Sequence, residues 1–248
     1  MEPALPPGVR FAKPDDILRL GIVSFESFIG TDCFDWMWID PNEFPRDVLA
    51  SEIAVWEDVL VKGEELLLVI EDDYYPDENS KTSAVIDVSG IDWQAPQPGE
   101  KVIVGAISFE PNRRSPRVAN HCQTTDLSEY PDAPAVELLA LDADHYAQLL
   151  DSIKEHKKRL GFENGFNIEL LVVHPAYHRR GHARTLVKWM QDLARIDQVT
   201  VYVAADGKSE EFYARLGFEV IERLEIPGDE ITPEGCRVIM MQWLPGEP

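Results

Sequence analysis

The chain has 248 residues, 44% of them hydrophobic, enough to bury a sizeable core. Its 45 acidic against 23 basic residues give a formal charge of -22, which disfavours nucleic acid and anionic membranes as main partners. There is no long uncharged apolar run and no secretory signal in MEPALPPGVR, and the three scattered cysteines suggest neither a disulfide framework nor a zinc site. A reducing compartment follows: the cytoplasm is expected, with the nucleus left open.

Residues 9–12 suit a short first strand. Pro14 and Asp15 offer a helix start, and Ile17, Leu18, Leu20, Ile22, Phe25 and Phe28 supply its apolar face up to Gly30. Residues 33–44 are aromatic and turn-rich, with Phe34, Trp36, Trp38 and Phe44 near Pro41 and Pro45. The spacing of Leu49, Ile53, Trp56 and Leu60 predicts a helix over 46–62, ended by Gly63. A strand is expected at 65–70. The polar stretch 71–101 looks like an excursion, with a short strand at 84–88. Another strand fits 102–109, and 111–136, rich in Arg, Pro, Ser and Asp, fits a loop. Residues 143–160 form a helix with Tyr146, Leu149, Leu150 and Ile153 on its apolar side. Its basic end, Lys154, Lys157, Lys158 and Arg159, complements the helix dipole.

The stretch 167–194, NIELLVVHPAYHRRGHARTLVKWMQDLA, has the strongest pattern. Ile168, Leu170, Leu171, Val172 and Val173 suit a strand buried on both faces, stopped by Pro175. From Ala183 the period becomes helical, with Leu186, Val187, Met190 and Leu193 on one side. Gly181 at the helix mouth allows close backbone approach, and the first helical N–H groups there lack partners. With Arg179 and Arg180 beside them, they make an anion site suited to a phosphate or pyrophosphate. Strands at 199–204, 218–226 and 237–243 and a short helix at 209–216 follow. The order is an α/β (α+β) layer with a late antiparallel pair. One domain over 1–248, with insertions at 71–101 and 111–165, accounts for it better than two.

The strand, the loop HPAYHRRGHA at 174–183, the helix after it and the closing FYARLGF at 212–218 resemble the GNAT (Gcn5-related) N-acetyltransferases. The close resemblance covers about residues 167–218. That family's acyl-CoA loop has the pattern Gln/Arg-x-x-Gly-x-Gly/Ala. Here His178, Arg179, Arg180, Gly181, His182 and Ala183 occupy it, with His at the first position. The resemblance implies a mixed, mostly antiparallel central sheet flanked by helices, with acetyl-CoA as cosubstrate. It implies that the backbone of 179–184, including Arg184, holds the pyrophosphate. The pantetheine arm then pairs with Leu171, Val172 and Val173 where the strand splays from its neighbour, and Ser209 is a secondary contact. Glu169 is the implied general base and Tyr213 the implied acid that protonates the departing thiolate.

Each assignment has a plainer counterpart. Glu169 also suits a solvated residue at the strand's start, Tyr213 a core residue beside Phe212, and Asp206 or Ser209 a helix cap. Phe34, Trp36, Trp38 and Tyr146 suit either an acceptor pocket or ordinary core packing. His174, His178 and His182 are four apart, but the proline and loop between them keep them off one helical face. No metal site is expected. The implied reaction is direct acetyl transfer to a small-molecule or peptide amine by a monomer or homodimer. The acidic charge suits a cationic acceptor. A CoA-binding sensor or scaffold without transfer activity is the alternative.

Overall fold

The structure is a computed structural model that describes residues 3–91, 93–111, 115, 121–122, 124–128 and 137–246. Most of the stretch 111–136, expected to be loop, lies outside the described residues. Strand β1 (Val9–Phe11) leads through a turn at Pro14–Asp16 into helix α1 (Ile17–Phe28). Helix α2 (Asp32–Met37) follows, its start capped by the Thr31 hydroxyl accepting from the Phe34 N–H. Helix α3 (Pro45–Lys62) begins on proline and ends at Gly63 in the left-handed region. Gly21 lets α1 and α3 touch: a Cβ there would stand 2.7 Å from the Ile53 side chain.

The remaining elements are β2 (Leu66–Asp73), β3 (Lys101–Glu110), α4 (Ala143–Leu160), β4 (Phe166–Val173), α5 (His182–Asp197), β5 (Val201–Asp206), α6 (Glu210–Ala214), β6 (Glu219–Ile226) and β7 (Cys236–Trp243). The strands form one sheet in the order β1-β2-β3-β4-β5-β7-β6. Only β4 and β5 run parallel. This is the expected mixed, mostly antiparallel sheet. One face carries α5 and α6, whose Leu186, Val187, Met190 and Tyr213 pack with Ile168, Val203 and Met241. The other carries α1 and α3 under the first strands, through Leu20, Ile53 and Trp56 against Val69 and Val172. Beside them α2 and α4 cover the later strands, through Trp36 and Leu149 against Val238 and Met240. Each such buried apolar side chain stabilises the fold by about 1.5–3 kcal/mol.

Two expectations fail locally. Residues 84–88 form no strand. They are tied instead to the α2–α3 connection, where Asn42 Nδ2 donates to the Ser83 carbonyl and the Val85 N–H donates to Asn42 Oδ1. Ile86 and Val88 pack against the α1–α3 cluster from outside, so the branched residues cover a helix pair rather than extend a sheet. The α4 face is also rotated from the expected one. Leu149 is buried and Ile153 half-buried, but Tyr146 and Leu150 are exposed and His145 takes an inward position.

Candidate active site

The turn at Pro175–Tyr177 follows β4 at once, and His174 N–H donates to the Val104 carbonyl at 2.9 Å. The chain then passes through Arg179, with φ 62°, and Gly181, with φ 92°. Arg179 is one of few non-glycine residues in the left-handed region, a strained state that surrounding structure must hold. Gly181 caps α5, and Thr185 donates to its carbonyl at 2.9 Å. The N–H groups of His182, Ala183 and Arg184 lie before that bond and have no acceptor within the helix. A Cβ built on Gly181 would meet nothing within 4 Å, so the cradle is open on that side. The sixteen-residue helix adds its positive dipole end.

Side chains around this cradle already have partners. His178 Nε2 lies 2.8 Å from the Val173 carbonyl. Arg180 and His182 both reach Asp72 Oδ2, at 3.0 Å and 3.1 Å. Burial pushes the Asp72 carboxyl up, but the Asp73 N–H, Arg180 and His182 outweigh it and hold it below its usual value. Arg179 and Arg184 are exposed and Ala183 packs against the α5 core. Of the loop residues implied by the resemblance, only Arg180 and His182 share a side-chain partner among the described residues, Asp72.

Beside the loop the sheet opens. β4 and β5 pair only at Phe166 with Val201, Asn167 with Tyr202 and Ile168 with Val203. Beyond these, β4 stays paired with β3, and β5 with β7. The facing edges of Leu170, Leu171, Val172 and Val173 and of Ala204, Ala205 and Asp206 thus lack ladder partners across the gap. Unpaired backbone groups of this kind suit an amide-bearing chain lying between them. At the crotch, β3 pairs Phe109 with Ile168 and Ser108 with Leu170, which leaves Glu169 as a bulged residue. The bulge reverses the alternation. Ile168, Leu171 and Val173 join the α5 side, while Leu170 and Val172 join the α1–α3 side.

Glu169 is held by Lys157 of α4 at 2.6 Å and by the Asn167 amide. Glu65 lies near it. Burial pushes the Glu65 carboxyl up, against the pull of Ser108, and the Glu169 charge pushes the same way. Tyr213 sits on the opposite face, 4% exposed, edge-on to Phe212 and Phe218. Burial pushes its phenol up, so it stays protonated. Ser209 starts α6 without a capping bond from its side chain. Asp206 caps the short turn at Gly207–Ser209 just before α6, accepting from the Lys208 N–H, and also accepts from the Cys33 N–H, each at 2.9 Å.

Phe34, Trp36 and Trp38 of the aromatic segment are buried among the described residues. Trp36 stacks on His145 at 3.8 Å, and Trp38 stacks on Phe34 inside a second cluster. Tyr146 faces solvent on α4. The three histidines also part ways. His178 goes to a carbonyl, His182 to Asp72, and His174 is sealed 2.6 Å from Glu26, not aligned for a hydrogen bond. Sequence reasoning missed Asp72, Glu26 and Glu78. All lie far from the motif in sequence, and only an acidic excursion hinted at the last.

A family model for the acetyltransferase (GNAT) domain matches residues 132–245. An acetyltransferase from Stachybotrys chartarum is 23% identical over 235 residues, covering 93% of this chain and 89% of that relative. A crystal structure described as histone acetyltransferase HPA2 and related acetyltransferase, from Corynebacterium glutamicum, overlays with a TM-score of 0.52. It covers 97% of each chain at 16% identity, a likeness of fold. The matched segment contains the split strand pair, the left-handed loop and α5 together, and in that segment the chain is similar to the GNAT acetyltransferase domain.

Proposed function

We propose that this acetyltransferase is an N-acetyltransferase that moves the acetyl group of acetyl-CoA directly to an amine. The observation that carries the reading is the gap between β4 and β5 running into a loop of unpartnered N–H groups at α5. The open strand edge pairs with the pantetheine amides, and residues 179–184 hold the pyrophosphate. A backbone N–H of Val172 or Val173 meets the thioester oxygen as charge develops on it. The amine nitrogen bonds to the carbonyl carbon, and the carbon–sulfur bond breaks. Tyr213 gives its proton to sulfur. Glu169, held by Lys157 and Asn167 at the bulge, takes the proton the amine loses, and solvent restores both groups. Holding the two reactants together supplies much of the acceleration.

The chain acts as one domain in this reading, with 71–101 and 111–165 as insertions on it, and as a monomer or homodimer in the cytoplasm. Acetyl-CoA turnover across a panel of primary amines, followed by release of free thiol, is the test. Release of thiol with at least one amine, and of none without it, is expected. CoA binding with no turnover on any amine would leave a sensor or scaffold.

A further inference from the structure

The excursion at 74–100 does not stand clear of the loop before α5. Its turn at Glu78–Lys81 packs against the turn at Pro175–Tyr177. Three buried polar side chains meet there: Arg19 of α1, Glu78 of the excursion and Tyr177. The Arg19 guanidinium meets both carboxylate oxygens of Glu78, at 2.6 Å and 2.9 Å, and its Nε donates to the Ile103 carbonyl at 2.9 Å. The Tyr177 hydroxyl donates to Glu78 Oε2 at 2.9 Å and accepts from the Tyr75 N–H at 2.8 Å. Burial pushes the Tyr177 phenol up, and Glu78 adds to this, so the hydroxyl keeps its proton and remains a donor. A buried charge pair with each partner hydrogen-bonded is rigid, whereas a half-satisfied one is costly.

Tyr177 passes this rigidity to the loop. The Arg180 guanidinium lies over its ring, 4.8 Å from the centroid. Between Tyr177 and Leu186 no residue is buried, so the exposed segment that contains Arg179 and Gly181 hangs between those two anchors. The left-handed Arg179 stands two residues from Tyr177, and a non-glycine residue stays in that conformation only where its surroundings hold it. Strand β2, which leads into the excursion, touches the loop a second time through Asp72.

We propose that Arg19, Glu78 and Tyr177 are positioning residues for acyl-CoA binding. They fix the turn from which the N–H groups of the loop are aimed, which makes the excursion part of the phosphate seat. This rests on the acetyl-CoA reading above. The test is calorimetric titration of CoA into the full chain and into Tyr177→Phe, Glu78→Gln and the double variant, with near-ultraviolet circular dichroism as a check of fold. Each single variant should weaken CoA affinity on the order of tenfold, the worth of one buried hydrogen bond left half-made. The double variant should lose little more than the weaker-binding single, because both break one contact. In turnover, KM for acetyl-CoA should rise while kcat holds; a merely structural role would lower stability and leave the affinity of the folded protein unchanged. Tyr177→Phe removes one hydroxyl only, and decides the matter if Glu78→Gln does not fold. Folded variants that bind CoA within about twofold of wild type, well short of that loss, overturn the inference alone. A wild-type protein that binds no CoA overturns the acetyl-CoA reading and this inference with it.

Discussion

Gly181 joins a φ of 92° to open space where a side chain would stand. Any L-residue there is strained by its backbone and reaches into the space that the α5 N–H groups face. Acetyl-CoA at a hundred times its dissociation constant should stabilise the wild-type fold by about 2.7 kcal/mol. Gly181→Val should lose about 1 kcal/mol of stability and all of that melting shift; a shift that survives would place the phosphate elsewhere. Tyr213 and Glu169 are tested by turnover rather than binding. Tyr213→Phe should keep the fold and CoA affinity and lower kcat by roughly 10²–10⁴. Glu169→Gln should remove the acidic limb of the pH–rate profile. Near-normal turnover of Tyr213→Phe would reduce that residue to core packing beside Phe212. The loop was legible in the sequence because its chemistry is that of backbone: a glycine, a helix start and a change of period. Its side-chain partners were not. Asp72 reaches Arg180 across 108 residues and Glu78 reaches Tyr177 across 99, and no local pattern marks such a pairing.

Helices and strands were legible where periodicity was long. The 143–160 helix has its expected bounds, and the expected strands that form shift by one to three residues at their ends. The bulge at Glu169 was not visible, because an apolar run buried on both faces carries no alternation for a bulge to interrupt. Helix α2 was hidden among aromatics and prolines, since six residues are too few to show a helical period. It is secured from α4 instead. His145 Nδ1 lies 2.9 Å from the Trp36 carbonyl and Nε2 lies 2.7 Å from Asp229 in the β6–β7 connection. Burial lowers the His145 pKa, but Asp229, with the Trp36 carbonyl and Asp142, outweighs it and holds the imidazole above its usual value. The Asp229 carboxyl is held down to about 2, by the Thr232 N–H first and His145 second. The folded pKa of His145 is raised, so its contribution to stability is complete below the unfolded value of about 6.5. It is lost as pH rises through the folded value. Urea midpoints should therefore fall as pH rises from 6.5 or so, and His145→Gln should flatten that slope. Equal slopes in both proteins would move the titration to another group.

On the scale of the molecule, a charge of -22 surrounds a loop with three arginines. In the proposed reaction such a field works against an anionic cosubstrate, which the loop arginines offset locally, and favours a cationic acceptor. For a cationic amine, kcat/KM should fall as ionic strength rises past about 0.1 M, where the screening length drops to ~10 Å. A rate indifferent to salt would remove steering from the account. Of the two readings of the aromatic segment, the rings of Phe34, Trp36 and Trp38 fit core packing. Among the described residues no helix is long and apolar enough to cross a membrane.

The short ladder between β4 and β5 also sets a clock. Three residue pairs join two half-sheets, and beyond them the edge of β4 that faces β5 has amide hydrogens with no carbonyl opposite. In heavy water those amides of residues 170–173 should exchange their hydrogens well ahead of the ones that point to β3, which a complete ladder protects. Added CoA should slow that same alternate set and leave its neighbours unchanged. Uniform protection along the strand, with or without CoA, would show that the half-sheets close on each other in solution.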